Sequence, residues 1–149
     1  MSDFSLEFLT AVVDTLLPGL PATADQPALP AASQIGLERH LLRHLLEHPQ
    51  REQLTQRLHA LAKVAGGVEN FSLGDVALRT AAVQTLEQSD SAAFYAFLLV
   101  IAAAYYQTDE VIRALGWYVD PPQPRGYPLP LFDEQLLTPV KTRAALWRA

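Results

Sequence analysis

The sequence predicts an all-α fold, a compact bundle of about six or seven helices joined by proline-rich loops. Apolar residues recur at helical spacing in most segments, and no run alternates between apolar and polar residues for long enough to form a strand. The 11 prolines fall mainly in residues 18–33 and 117–132, which indicates loops there. A chain of 149 residues, half of them hydrophobic, can bury a sizeable core, so we expect a single domain over residues 1–149.

The first helix is predicted from Phe4 to Leu17, because its apolar residues fall on one face. Pro18 and Gly19 end it, since proline has no amide proton to continue the helix and glycine tolerates the turn. The following stretch, residues 18–33, is predicted to be an irregular, proline-rich connection that packs over the surface as a belt.

Three helices are predicted between the belt and a long apolar segment. The second helix of the chain is expected to begin at residues 33–34, and the third at Pro49, with Gly66-Gly67 closing it. The tetrad Ser72-Leu73-Gly74-Asp75 resembles a capping box with Asp in place of Glu. A fourth helix is therefore expected after this tetrad, running to about Gln88.

The fifth helix is predicted over the uncharged apolar run Ala92–Tyr106, with Ser89 or Ser91 as its cap. As a helix this run would span about 22 Å, which is less than the roughly 30 Å hydrocarbon core of a membrane. We therefore expect a fully buried central helix and no membrane insertion. A short sixth helix is predicted to start at Thr108, and a last helix at Thr138-Pro139.

Three histidines on the second predicted helix are candidates for metal binding. His40, His44 and His48 are spaced so that neighbouring pairs share a helix face and could chelate an ion. They lie on the polar flank of the helix beside Arg39 and Arg43, whose charges would repel a divalent cation. A solvated face therefore explains them and no metal site is predicted, but a metal-binding enzyme that uses His40 and His44 stays an alternative.

No convincing catalytic set occurs in the sequence. The absence of cysteine excludes thiol chemistry and cysteine-ligated metals, and neither a GxSxG nor a Gly-rich phosphate-binding motif is present. The adjacent carboxylates Asp109-Glu110 and Asp133-Glu134 are typical of acidic first turns rather than of an acid/base pair. The net charge of -5, with scattered Lys and Arg, argues against binding to nucleic acid.

Aromatic residues gather in the C-terminal third of the chain, where they are interleaved with prolines. These aromatic residues include Tyr105, Tyr106, Trp117, Tyr118, Tyr127 and Trp147. One interpretation is a second, smaller core in which the proline-rich loop 117–132 covers helix ends. The other is a docking surface, because Trp and Tyr beside proline give rigid contact area at a low cost in conformational entropy.

The segment Ala103–Trp117, which reads AAYYQTDEVIRALGW, resembles the gluconate 2-dehydrogenase subunit 3 family. That family typically carries a Gly-Tyr-Tyr-Thr-like stretch, a short helix and then Leu-Gly-Tyr. A first helix that ends in Leu17-Pro18-Gly19, and Phe71-Ser72-Leu73 before a later helix, are similar to the family as well, so the likeness covers most of the chain. Here Trp117-Tyr118 replaces the usual Tyr and Gly, and the twin-arginine signal of many members is missing from this sequence.

The resemblance implies a non-catalytic accessory small subunit. Its partner would be a large FAD-dependent dehydrogenase of the glucose–methanol–choline type, which oxidises a sugar or sugar acid and often works with a cytochrome c subunit. FAD would lie in that partner, and this chain would carry no cofactor. Without a signal of its own the chain is expected in the cytoplasm, or in the periplasm if a partner carries it there.

The family likeness and the aromatic–proline cluster together suggest the residues that touch or shape the contact with the partner. These are Tyr105, Tyr106, Trp117, Tyr118, Pro121, Pro122 and Tyr127. The alternative function is a stand-alone helical module that binds a small apolar ligand, with the same aromatic residues as the pocket wall.

Overall fold

The computed structural model describes residues 4–47, 49, 51–119 and 133–142, and the all-α class of these residues, with a proline-rich connection, is as predicted. The structure divides into two units, Met1–Val119 and Asp120–Ala149. The helices of the first unit are α1 (Leu6–Leu16), α2 (Leu37–Glu47), α3 (Arg51–Val64), α4 (Val68–Leu73), α5 (Val76–Ser89), α6 (Ser91–Tyr106) and α7 (Asp109–Ala114). The described part of the second unit holds a 3-10 helix, Glu134–Leu137, followed by α8 (Thr138–Lys141).

Helix α1 lies at the centre of the first unit. The Ser5 hydroxyl oxygen accepts a hydrogen bond from the Phe8 amide at 3.2 Å, which satisfies one of the free donors at the helix start. Its apolar residues Phe8, Leu9, Val12 and Val13 have no exposed surface, and the helix packs against α2, α4 and α5. Since four fully buried side chains contribute roughly 1.5–3 kcal/mol each, α1 anchors the core.

The belt, residues 18–33, is irregular and closely held. Leu20 and Leu29 exchange two backbone hydrogen bonds, at 2.9 and 2.8 Å, as an isolated antiparallel bridge. Gly19 adopts a φ of +78°, and a Cβ there would lie 2.7 Å from the Ala31 nitrogen, so only glycine fits. At the end of the belt the Asp14 carboxylate accepts a hydrogen bond of 2.8 Å from the Ser33 amide.

The start of the second helix differs from the prediction. Residues Ala32–Ile35 form a separate 3-10 turn, and Gly36, with a φ of +70°, divides this turn from α2. Helix α2 therefore begins at Leu37 rather than at residues 33–34, because a left-handed residue interrupts the helical hydrogen bonding.

The starts of α3 and α5 also differ from the predictions. Helix α3 begins at Arg51 rather than at Pro49. The capping box predicted at residues 72–75 is wrong, because Asp75 itself is the N-cap of α5 and accepts a hydrogen bond of 2.8 Å from the Leu78 amide. Ser72 belongs to α4, a short helix that the sequence did not predict, and its hydroxyl donates to the Val68 carbonyl at 2.8 Å.

Helix α6 is half-buried, so the prediction of a fully buried central helix is wrong. Only one of its faces, formed by Phe94, Phe97, Ile101 and Tyr105, enters the core. Its N-cap is Asp90, which accepts a hydrogen bond of 3.1 Å from the Ala93 amide, rather than either neighbouring serine. Among the described helices, none has the length and apolar character needed to cross a membrane.

The two remaining predicted helices start where the sequence placed them. Helix α7 follows Thr108, although the Thr108 hydroxyl donates to the Tyr105 carbonyl at 2.8 Å instead of accepting from the new helix. Helix α8 begins at Thr138, and the predicted continuation through residues 143–147 lies outside the described residues.

Candidate partner-binding surface

The two tyrosines that end α6 lie in opposite environments. Tyr105 is 2% exposed, whereas Tyr106 is 48% exposed, because adjacent residues of a helix point about 100° apart. Their rings lie 5.2 Å apart between centroids and meet edge-on at 85°. The exposed ring therefore packs on the buried one in the edge-to-face arrangement that aromatic pairs prefer.

Tyr105 holds the belt against α6. Its hydroxyl donates a hydrogen bond of 2.6 Å to the carbonyl of Pro30. Burial raises the pKa of the Tyr105 phenol, and the neighbouring Tyr106 phenol raises it further. Because the ring is enclosed, its part in any contact is limited to shaping the surface above it.

Tyr106 lies beside an apolar notch between the belt and the end of α6. The notch has a volume of about 160 Å³ and is lined by Leu16, Leu17, Pro18, Gly19, Leu20, Leu29, Tyr105 and Tyr106. Leu20 on the belt is an exposed hydrophobic residue, as Tyr106 is. The belt and α6 therefore present apolar surface to solvent on both sides of this notch.

Trp117 and Tyr118 follow α7 and point into solvent. Trp117 is 69% exposed and Tyr118 is 95% exposed. The Trp117 amide donates to the Ile112 carbonyl at 3.0 Å, which fixes the backbone where the chain leaves α7. We refer to Tyr106, Trp117 and Tyr118 as the exposed aromatic set. The other predicted contact residues, Pro121, Pro122 and Tyr127, lie outside the described residues.

A second apolar surface, which sequence reasoning missed, follows α6. Tyr95 is 61% exposed and Leu99 is 49% exposed, on the side of the helix opposite its buried face. The sequence shows that α6 has no polar face. This does not tell which face of the helix is exposed. A groove of about 350 Å³ lies alongside, between α3 and α6, with Leu54, Phe97 and Val100 among its lining residues.

His40 and His44 on α2 lie close together. The rings of His40 and His44 lie 4.5 Å apart between centroids, and the His44 Nδ1 lies 3.3 Å from the His40 carbonyl oxygen. Burial lowers the pKa of His40, and the charges of His44 and Arg43 lower it further. Within the described ranges, no three His, Cys, Asp or Glu side chains are placed to hold a metal together, and His48 lies outside those ranges.

The predicted contact residues that the structure describes all belong to the first unit. Tyr106, Trp117 and Tyr118 are on the surface of the first unit, and Tyr105 is beneath that surface. Comparisons of the chain with protein-family models, with curated proteins and with solved structures find no match.

Proposed function

We propose that this chain is a non-catalytic accessory subunit that binds and stabilises a large FAD-dependent dehydrogenase. The observation that carries the proposal is the exposure of Tyr106, Trp117 and Tyr118 on one folded unit. Tyrosine and tryptophan are enriched at protein interfaces, where each supplies a large contact area with few rotatable bonds. Their exposure leaves apolar area in water that a bound protein would cover.

The nature of the partner is inferred from the likeness of Ala103–Trp117 to the gluconate 2-dehydrogenase subunit 3 family. On this proposal the large subunit is of the glucose–methanol–choline type, holds the FAD and oxidises a sugar or sugar acid. A cytochrome c subunit would complete the electron path in complexes that contain one. The present chain would supply contacts rather than reacting groups.

The first experiment is purification of the tagged full chain from the cells that produce it. The proposal expects a large subunit in the eluate with the visible absorbance of a flavin, and dye-linked oxidation of sugars by the same fraction. A colourless chain with no large subunit would contradict it.

The exposed aromatic set can then be tested by replacing Trp117 and Tyr118 with alanine together. Because aromatic anchors are frequent hot spots, we expect the Kd for the large subunit to rise roughly tenfold or more. Leu73→Ala is the matched control, because Leu73 is a surface leucine of α4 that is 86% exposed. Circular dichroism should show equal helicity in all three proteins, and an unchanged Kd in the double variant would refute the assignment.

A second candidate function is favoured by the notch beside Tyr106. Its volume of about 160 Å³ could admit a small apolar molecule in a stand-alone binding module. Typical ligand pockets are larger, about 300 Å³ or more, so the notch fits only a fragment-sized ligand. Indole and cyclohexanol are suitable probes: a rise in the melting temperature of the isolated chain that Tyr106→Ala abolishes would favour this function.

A further inference from the structure

The exposed face of α6 forms one continuous apolar stripe. Its exposed residues recur at intervals of three and four, which places them on the same side of the helix. They are Ala92, Tyr95, Ala96, Leu99, Ala103 and Tyr106. A helix of 16 residues is about 24 Å long, so the stripe could accept a helix of similar length.

The stripe continues into the groove between α3 and α6. Ala96 belongs to the stripe and also lines the groove, whose other lining residues include Phe97 and Val100. Gln53 and Gln56 of α3 lie on the polar side of the same groove. An apolar side chain from a bound helix could enter here while its polar neighbours bind the glutamine amides.

Residues 91–108 carry no charge, so the nearest charged residues along the chain lie before and after α6, and Arg57 of α3 lines the groove beside it. Before α6, Glu87 and Asp90 are exposed, and Arg57 pairs with Asp90 at 3.1 Å. After α6, Asp109 and Glu110 are exposed, and Arg113 pairs with Asp109 at 3.2 Å. Each end therefore has more carboxylates than guanidinium groups.

This distribution of charge favours some binding partners of the stripe over others. A second copy laid antiparallel on the stripe would bring the acidic start of one α6 to the acidic end of the other. A parallel copy would bring like ends together. Both arrangements are repulsive, whereas a helix that ends in lysine or arginine would be attracted at both ends.

We propose that the α6 stripe is the docking surface for one amphipathic helix of a protein partner, with an uncharged apolar face and basic residues at both ends. The inference deepens the proposed function, and it rests on that function only for the identity of the protein that supplies the helix. The contact would follow the helix-in-groove mode, in which affinity comes from apolar anchors and orientation from charge.

The test uses the full chain and two synthetic peptides. Both are 16-residue helices with a Leu/Ala face and a Gln/Ser face, and one has Lys-Lys at each end where the other has Glu-Glu. We expect fluorescence anisotropy to show binding of the lysine-ended peptide that is roughly tenfold or more tighter at low salt, with a smaller difference as salt rises.

Variants then assign that binding to the stripe. Leu99→Asp should raise the Kd of the lysine-ended peptide roughly tenfold or more, because it places an unpaired charge in the apolar contact. Tyr95→Gln, which adds no charge, should weaken binding in the same direction. Leu73→Asp is the matched control, since it puts the same charge on an exposed leucine of α4, and it should leave the Kd unchanged.

Three outcomes would overturn the inference. The first is equal binding of the two peptides, and the second is an unchanged Kd in both stripe variants. The third is a dimer in sedimentation velocity that Leu99→Asp dissociates, which would make a second copy the occupant. The peptide assay contains no flavoprotein, so its failure leaves the proposed function standing, and a pull-down without flavin leaves the stripe standing.

Discussion

Tyr105 joins the interior of the first unit to its surface. Its ring is enclosed in the core, and its hydroxyl satisfies the carbonyl of Pro30 in the belt. The next residue, Tyr106, is the member of the exposed aromatic set that stands over this contact. The exposed tyrosine therefore packs edge-on against a ring whose hydroxyl makes a partly buried hydrogen bond.

Tyr105→Phe isolates the contribution of that hydrogen bond. It keeps the ring and removes the donor, so we expect the free energy of unfolding to fall by about 1–2 kcal/mol in urea titrations at neutral pH. Tyr95→Phe is the control, because it removes the hydroxyl of an exposed tyrosine of the same helix. Equal stability of the two variants would show that the Pro30 contact is without energetic consequence.

The stability difference between the wild type and Tyr105→Phe should depend on pH in the alkaline range. Burial raises the pKa of Tyr105 in the folded chain above its value of about 10 in the unfolded chain. The folded state therefore holds the phenol proton more tightly. The resulting stabilisation is complete below the unfolded pKa and is lost as the pH rises through the folded pKa. The stability difference between the wild type and Tyr105→Phe should narrow as the pH rises above about 10.

Among the helices, α5 shows that a local sequence motif does not settle which residue is the N-cap. Residues 72–75 contain two possible N-caps, Ser72 and Asp75, and the pattern alone does not choose between them. The structure uses Ser72 inside α4, whose Phe71 is fully buried and meets the ring of Phe8 at 5.5 Å. Tertiary packing of Phe71 thus stabilises a helix too short to form by propensity, and it moves the next cap to Asp75.

Asp75 therefore carries the capping energy of α5. We expect Asp75→Ala to lower the free energy of unfolding by about 1 kcal/mol, because the Leu78 amide loses its acceptor. Asp75→Asn should change stability little, since asparagine is an equally good cap. Urea denaturation of the two variants is the measurement, and a larger effect from Asn than from Ala would contradict the assignment.

Helix α6 shows a second limit of sequence reasoning. Its residues are apolar on every side, so periodicity predicts the helix but not the face that lacks a partner. The interpretation as a fully buried helix followed from hydrophobicity alone. The helix is instead packed on one side, and its open side is the exposed apolar stripe from Ala92 to Tyr106.

For the whole molecule, the class of fold and the belt could be predicted because their signals are local. Proline density marks the belt, and helical spacing marks the bundle, whatever the packing. The exposure of Trp117 and Tyr118 could not be predicted, because a buried aromatic cluster and a docking surface share one composition. In the described part of the chain both rings lie in solvent, while residues 120–132 of the loop that the first interpretation needs lie outside that part.

The distribution of the core leads to a prediction for the whole molecule. Every buried hydrophobic residue in the described part of the chain lies between Phe4 and Val111. We therefore expect a chain truncated after Val119 to keep a cooperative thermal transition and a helical circular dichroism spectrum. A non-cooperative transition in residues 1–119 would contradict this, with the full chain as the control.

The hydrogen bond between Tyr105 and Pro30 can form only late in the synthesis of the chain. Its two residues are 75 positions apart, so the belt leaves the ribosome long before the side chain that fastens it. Synthesis runs from the N-terminus, and a domain folds as a unit once enough of it has emerged. The bonds of the belt within residues 14–33 can form early in synthesis, but the Pro30 carbonyl gains its tyrosine partner only when the last turn of α6 has folded. We expect proteases to cut a nascent chain arrested before residue 105 faster within residues 18–33 than they cut the finished chain there, and equal rates would contradict this.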